Sequence, residues 1–216
     1  MEKYLVLDTE TTNSLDDPIC YDIGFVVTDE KGKVYESHSY VVAEVFLDKE
    51  LMSSAYFAEK IPSYWEDIKN GKRLLRRLKT IKFILHDVCV QHEITKIIAH
   101  NAIFDYKSCN YSQRYLTSSK YRYFFPYGIE IWDSLKMSRE IFGKDKNYIE
   151  FCEKNNYLTS YNKPRFTAEI LYKYLSKDNN FSESHTALED TLIEKEIFAE
   201  CLKKGCVDGR LFTDSL

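Results

Sequence analysis

Lys3-Tyr4-Leu5-Val6-Leu7, running directly into Asp8-Thr9-Glu10-Thr11-Thr12, decides how this chain folds. Five nearly unbroken apolar positions make a strand covered on both faces, which belongs in the middle of a sheet. Residues 19 to 28 and 33 to 42, rich in Val, Ile, Tyr and Phe, flank the Asp29-Glu30-Lys31-Gly32 turn and add a hairpin, giving an antiparallel meander. From about 48 to 93 the spacing is helical, with Leu74, Leu75, Leu78, Ile81 and Leu85 on one face. Residues 95 to 99 and 129 to 132 predict a fourth and a fifth strand joined by a right-handed parallel crossover. Helices are predicted near 133 to 142, 146 to 156, 167 to 176 and 186 to 204. The aromatic stretch 111 to 127 reads as an irregular cover over one sheet edge. The fold class is α/β, a mixed five-stranded sheet flanked by helices.

The 216 residues suit one domain, with a core over about 3 to 204 and a short C-terminal tail. A hydrophobic share of 44%, with 7 Gly and 4 Pro, excludes disordered and collagen-like classes. With 30 basic against 34 acidic residues the net charge is -4, so a nucleic-acid partner must be held locally rather than by a global field. No stretch suits a membrane span or a signal peptide, which implies a cytoplasmic protein without membrane contact. Cys20, Cys89, Cys109, Cys152, Cys201 and Cys206 form no C-x-x-C pair and read as reduced packing thiols.

Three polar groupings sit where elements end. Asp8 and Glu10 are two residues apart on a strand, so both carboxylates point to one side, an arrangement that calls for a proton or a cation between them. Asp105 follows the fourth strand in His100-Asn101-Ala102-Ile103-Phe104-Asp105, with Asn101 as N-cap and Asp105 in the first helical turn. In Ser184-His185-Thr186-Ala187-Leu188-Glu189-Asp190, Thr186 and Glu189 form a capping box that starts the final helix. His185 is left in the preceding loop and Asp190 in the first turn. Taken singly, each grouping also has an ordinary reading as a solvated loop acid, a helix-dipole partner or a surface histidine.

Together, Asp8-Thr9-Glu10-Thr11-Thr12, His100-Asn101 through Asp105, and His185 with Asp190 resemble the three motifs of the DEDDh, or DnaQ-like, exonucleases over roughly residues 3 to 204. The resemblance implies a ribonuclease H-like fold and 3′→5′ removal of nucleoside 5′-monophosphates from DNA or RNA ends. It also implies two Mg²⁺ ions, replaceable by Mn²⁺, on Asp8, Glu10, Asp105 and Asp190, with His185 as general base. Thr11, Thr12, Asn101 and Phe104 would meet the substrate. Asn13 stands where the family often has glycine. Tyr56 or Phe57 is a candidate stacking surface for a terminal base, although core packing is the favoured reading for each. Tyr174 with Asp178 matches the tyrosine variant of the third motif, but Leu171, Tyr174 and Leu175 share one face and read as packing.

The basic run Lys69, Lys72, Arg73, Arg76, Arg77, Lys79 and Lys82 is either a solvated helix face or a track for a phosphate backbone. The alternative to an exonuclease is a catalytically silent nucleic-acid-binding or polymerase-associated module on the same fold; a metal-dependent endonuclease is a third reading. A polymerase partner or a homodimer remains compatible with the sequence.

Overall fold

The computed structural model describes residues 1–12, 16–55, 57–118, 120 and 122–213; Asn13 and Tyr56 lie outside the described residues. The strands are β1 (Lys3–Thr12), β2 (Ile19–Asp29), β3 (Val34–Val42), β4 (Leu74–Arg76), β5 (Lys96–Ala99), β6 (Glu130–Asp133) and β7 (Arg210–Thr213). They form one mixed sheet in the order β4-β3-β2-β1-β5-β6-β7, with β1 in the middle as its apolar run requires. β1 pairs antiparallel with β2 and parallel with β5, and β5 pairs parallel with β6.

The expectation of five strands is corrected to seven. β4 interrupts the stretch predicted to be helical and pairs parallel with β3 from Tyr40 to Val42. β7 falls in the stretch read as a tail and pairs antiparallel with β6. Both are edge strands of three or four residues, too short to carry a period of their own.

Two layers of helices cover the sheet. Alternation along β1 sends Leu5 and Leu7 into a core with α4 (Leu78–Gln91) and α5 (Ala102–Leu116), through Leu78, Ile81, Leu85 and Cys109. Tyr4 and Val6 enter the other core with α6 (Ser134–Phe142), α7 (Lys146–Lys154), α8 (Ala168–Ser176) and α9 (Ala187–Lys203). Short helices α1 (Ala43–Phe46), α2 (Lys49–Met52) and α3 (Ile61–Lys69) follow β3. The aromatic stretch begins as the last turn of α5, and its Phe124 and Phe125 are buried in the first core. All six cysteines are buried and free.

One glycine sets the seating of α9. Gly24 of β2 lies opposite Asp8 of β1. A Cβ built on it would stand 2.3 Å from the Leu188 backbone nitrogen and 2.4 Å from the Ala187 carbonyl carbon. Only a residue without a side chain lets the first turn of α9 lie against the strand here. Gly24→Ala should therefore destabilise the protein by about 1–3 kcal/mol through overpacking, measured by urea denaturation; an unchanged midpoint would show that the helix yields freely.

Candidate active site

Asp8, Glu10 and Asp190 each present an oxygen within 4.8 Å of the others. The local causes are specific. In the β1–β2 ladder Asp8 faces Gly24 and Glu10 faces Asp22, and the register shifts just past Glu10. Asp8 and Glu10 thus share the face on which α9 is seated, and α9 brings Asp190 in its first turn. Thr9, between the two acids, points to the opposite face and donates to Asp105 Oδ1 at 2.8 Å. Asp105 sits in the first turn of α5 as its spacing predicts, and lines the same cleft without joining the trio of close oxygens.

Burial and mutual repulsion push these carboxyls up. Desolvation is the largest cause for each, raising Glu10 to about 9 and both Asp105 and Asp190 to about 7; Asp8 is also raised well above the ordinary range. Two further acids belong here. Glu194, one helical turn after Asp190 on α9, is buried in the cleft, accepts from the His100 backbone at 3.3 Å and is likewise raised by burial. Glu183 lines the cleft from the loop before α9 and is pushed up to about 7 by burial. The Asp190-to-Glu194 spacing signals a shared helix face, but α9 also carries acids at 189, 196 and 200, so sequence alone does not separate the buried one.

His185 lines the cleft from the left-handed region at φ 53°, a conformation that side chains rarely adopt outside functional or tightly held turns. Its ring stacks on Phe57, with centroids 4.1 Å apart and planes 8° apart. Burial lowers its pKa, assisted by the charge of Lys60, so the imidazole is neutral near neutral pH. Asn101 and Phe104 also line the cleft. Thr11 and Thr12 are not among its lining residues, and Thr12 is wholly buried with its hydroxyl directed to the Ile19 carbonyl at 3.4 Å. Tyr174 packs among Phe142, Tyr148 and Phe151, away from the carboxylates.

The capping expectations are corrected in their chemistry although the helix starts agree. The Thr186 side chain accepts no backbone N–H; its hydroxyl donates to Glu189 Oε2 at 2.6 Å. The Ala187 N–H instead donates to Asp22 Oδ2 at 3.0 Å, a residue of β2. Asn101 adopts φ 72° and gives no side-chain cap; its backbone N–H donates to Asp133 Oδ1, which also caps α6 at Leu135.

Asp22 also accepts from Tyr64 Oη at 2.7 Å and pairs with Arg73 at 3.3 Å. Arg73 is 3% exposed and reaches Asp67 at 3.0 Å and Glu189 at 2.8 Å as well. The basic run is therefore not one surface. Arg73 is a buried strut behind the site, and Lys82 donates to the Tyr123 carbonyl, while Lys69, Lys72, Arg76, Arg77 and Lys79 are exposed.

No protein-family model and no curated protein sequence matches this chain. Among solved structures it is similar to Exonuclease X in complex with 5′ overhanging duplex DNA, at 15% identity and TM-score 0.52 over 95% of both chains. It is similar to Escherichia coli Exonuclease I in complex with a dT13 oligonucleotide, at 15% identity and TM-score 0.56 over 95% of this chain and 42% of that one. A third is Schizosaccharomyces pombe Pop2p in its Mg²⁺ and Mn²⁺ bound form, at 14% identity and TM-score 0.53, covering 99% of this chain and 88% of that one. The chain has the ribonuclease H-like fold of the exonucleases. At these identities the likeness is one of fold, and the chain spans less than half the length of Exonuclease I.

Two outcomes follow from the site's electrostatics. Replacing Arg73 by Leu strands the Asp22 carboxylate and should cost about 3–5 kcal/mol, whereas Lys72→Leu, at an exposed position, should stay within about 0.5 kcal/mol; equal effects in denaturation would remove the strut. The second concerns pH. The folded protein keeps protons on the raised carboxyls that the unfolded chain loses near pH 4, so their contribution to stability is full below that pH. It is lost as pH rises through about 7 for Asp105 and Asp190 and about 9 for Glu10. Melting of the metal-free protein should occur at falling temperature from about pH 5 to about pH 9; a flat or rising profile would contradict it.

Proposed function

We propose that this chain is a divalent-metal-dependent 3′→5′ exonuclease that hydrolyses the terminal phosphodiester of DNA or RNA and releases nucleoside 5′-monophosphates. The observation that carries the reading is the convergence of Asp8, Glu10 and Asp190 oxygens within 4.8 Å, in one cleft with His185 and Asp105. Three carboxyl oxygens at that spacing, two of them on buried residues, are unfavourable without a counter-charge, and hard oxygen donors suit Mg²⁺ or Mn²⁺. The Mg²⁺ and Mn²⁺ bound form of Pop2p, on the same fold, supports the choice of ion.

In this reading Asp8, Glu10, Asp105 and Asp190 hold two Mg²⁺ ions. Bound there, the ions would stabilise the attacking and leaving oxygens and make water a stronger acid. The protein's own groups do the rest. His185, kept neutral by burial and oriented by its stack on Phe57, takes the proton of the attacking water as the bond from phosphorus to the 3′ oxygen of the preceding nucleotide breaks. Thr9 holds Asp105 in place, and Ser184 donates to Asp190 at 3.4 Å. Glu194, with no place among the close oxygens, accepts from the His100 backbone and ties the end of β5 to α9.

The test is a 5′-labelled oligonucleotide, in DNA and in RNA, incubated with Mg²⁺. A ladder descending from the 3′ end is expected, absent with Asp8→Ala, and slowed about a hundredfold to ten-thousandfold with His185→Ala; Tyr174→Phe should run as wild type. Internal fragments would indicate an endonuclease. Binding without any ladder would indicate the silent module.

A further inference from the structure

The cleft holds more than its carboxylates. At about 1120 Å³ it exceeds the roughly 300–1,000 Å³ that ordinarily encloses one small ligand, so it has room beyond a terminal nucleotide. Its remaining lining comes from α6 and from the turn before α8, and supplies Arg139, Lys163 and Arg165. None of the three forms an ion pair with another described residue, although six acids line the same cleft. Cations left unpaired so near surplus carboxylates are available to an anionic ligand.

Between these cations the chain makes a built hairpin. Leu158 bridges Pro164, the Thr159 N–H donates to the Lys163 carbonyl at 2.8 Å, and Asn162 turns the chain at φ 56°. Thr159 Oγ1 accepts from the backbone of Tyr161 and of Lys163, at 3.3 and 3.2 Å. The base of the hairpin is fastened. Arg165 Nε donates to the Leu158 carbonyl at 2.9 Å, and buried His100, held neutral by desolvation, donates Nε2–H to the Phe166 carbonyl at 2.7 Å. At the tip Tyr161 is 85% exposed, yet it lines the cleft. An aromatic ring fixed on a tight turn, facing solvent and flanked by free cations, is the arrangement that binds single-stranded nucleic acid: bases stack on the ring and phosphates meet the charges.

We propose that the 158–165 hairpin, with Arg139, is the strand-binding wall of the cleft: Tyr161 stacks an unpaired base, and Arg139, Lys163 and Arg165 hold phosphates of the strand leading to the 3′ end. The preferred substrate is accordingly single-stranded, because a paired base offers no free face to Tyr161. This rests on the exonuclease reading for the direction of the strand, but its binding test does not depend on turnover. Of the basic run 69 to 82, Arg73 is buried and takes no part in strand contact.

The experiment is fluorescence anisotropy with a labelled oligothymidylate of about 12 nucleotides, with Ca²⁺ in place of Mg²⁺. Tyr161→Ala should weaken binding about tenfold, as loss of one stacked base does, and Tyr161→Trp should restore it. Tyr127→Ala removes an equally open tyrosine outside the cleft and should change nothing. Arg139→Ala combined with Lys163→Ala should reduce the slope of log affinity against log salt by about 1.4, from about 0.7 per phosphate on a single strand. A blunt duplex of the same length should bind at least about tenfold more weakly. Unchanged affinity and salt slope in these variants would overturn the wall, and equal binding of the duplex would overturn the single-strand preference. The Mg²⁺ ladder reads the catalytic proposal separately: no ladder with intact Tyr161-dependent binding sinks the exonuclease alone, whereas a ladder with indifferent variants sinks the wall alone.

Discussion

Like charges must be held together against their repulsion, and much of this fold serves that end. Asp8 and Glu10 are locked side by side by the period of the central strand, paired there with Gly24 and Asp22 of β2. Asp190 is pressed towards them because Gly24 has no side chain to keep α9 away. Asp105 is tied by Thr9, and the start of α9 is pinned by Asp22, itself neutralised by Arg73. Thr9 and Ser184 act on one carboxylate oxygen each, Asp105 Oδ1 and Asp190 Oδ1, whereas Gly24 and Asp22 act through the backbone of α9. The opposing energy appears in the raised affinity of these carboxyls for protons.

The parts legible in the sequence were those governed by local period and by element ends. A five-residue apolar run placed β1 at the centre, and the two-residue period put Asp8 and Glu10 on one face. The last helix starts where Thr186 indicates, and Asp105 falls in the first turn of α5. What escaped was set by partners distant in the chain. The first N–H of α9, on Ala187, is taken by Asp22, 165 residues away, a partner that no local capping pattern announces. Arg73 reads as one of seven surface cations because nothing in its neighbours announces Asp22 or Glu189. β4 and β7 exist by pairing with stronger strands, so their own residues carry little signal. Glu194 was hidden among other acids on its helix.

The cleft also sorts charge by the part of the chain that supplies it. Carboxyls come from β1, α5 and α9 with the loop before it, all anchored to the sheet; free cations come from α6 and from the hairpin before α8. His100 belongs to both regions, with its backbone on Glu194 and its ring on Phe166. It is not a reactive group here. Its buried imidazole couples the end of β5 to the hairpin, so the two kinds of lining keep a fixed relation.

The order in which the chain contributes to the cleft has a temporal consequence. Asp8 and Glu10 are on β1, the first strand, whereas His185, Asp190 and Glu194 follow only after β6 and α8. A nascent polypeptide that has emerged only as far as α8 carries β1 to β6 but not the helix that brings Asp190 to Asp8 and Glu10. The three close carboxylates are thereby brought together only once α9 has emerged, and a product terminated before it cannot form the trio.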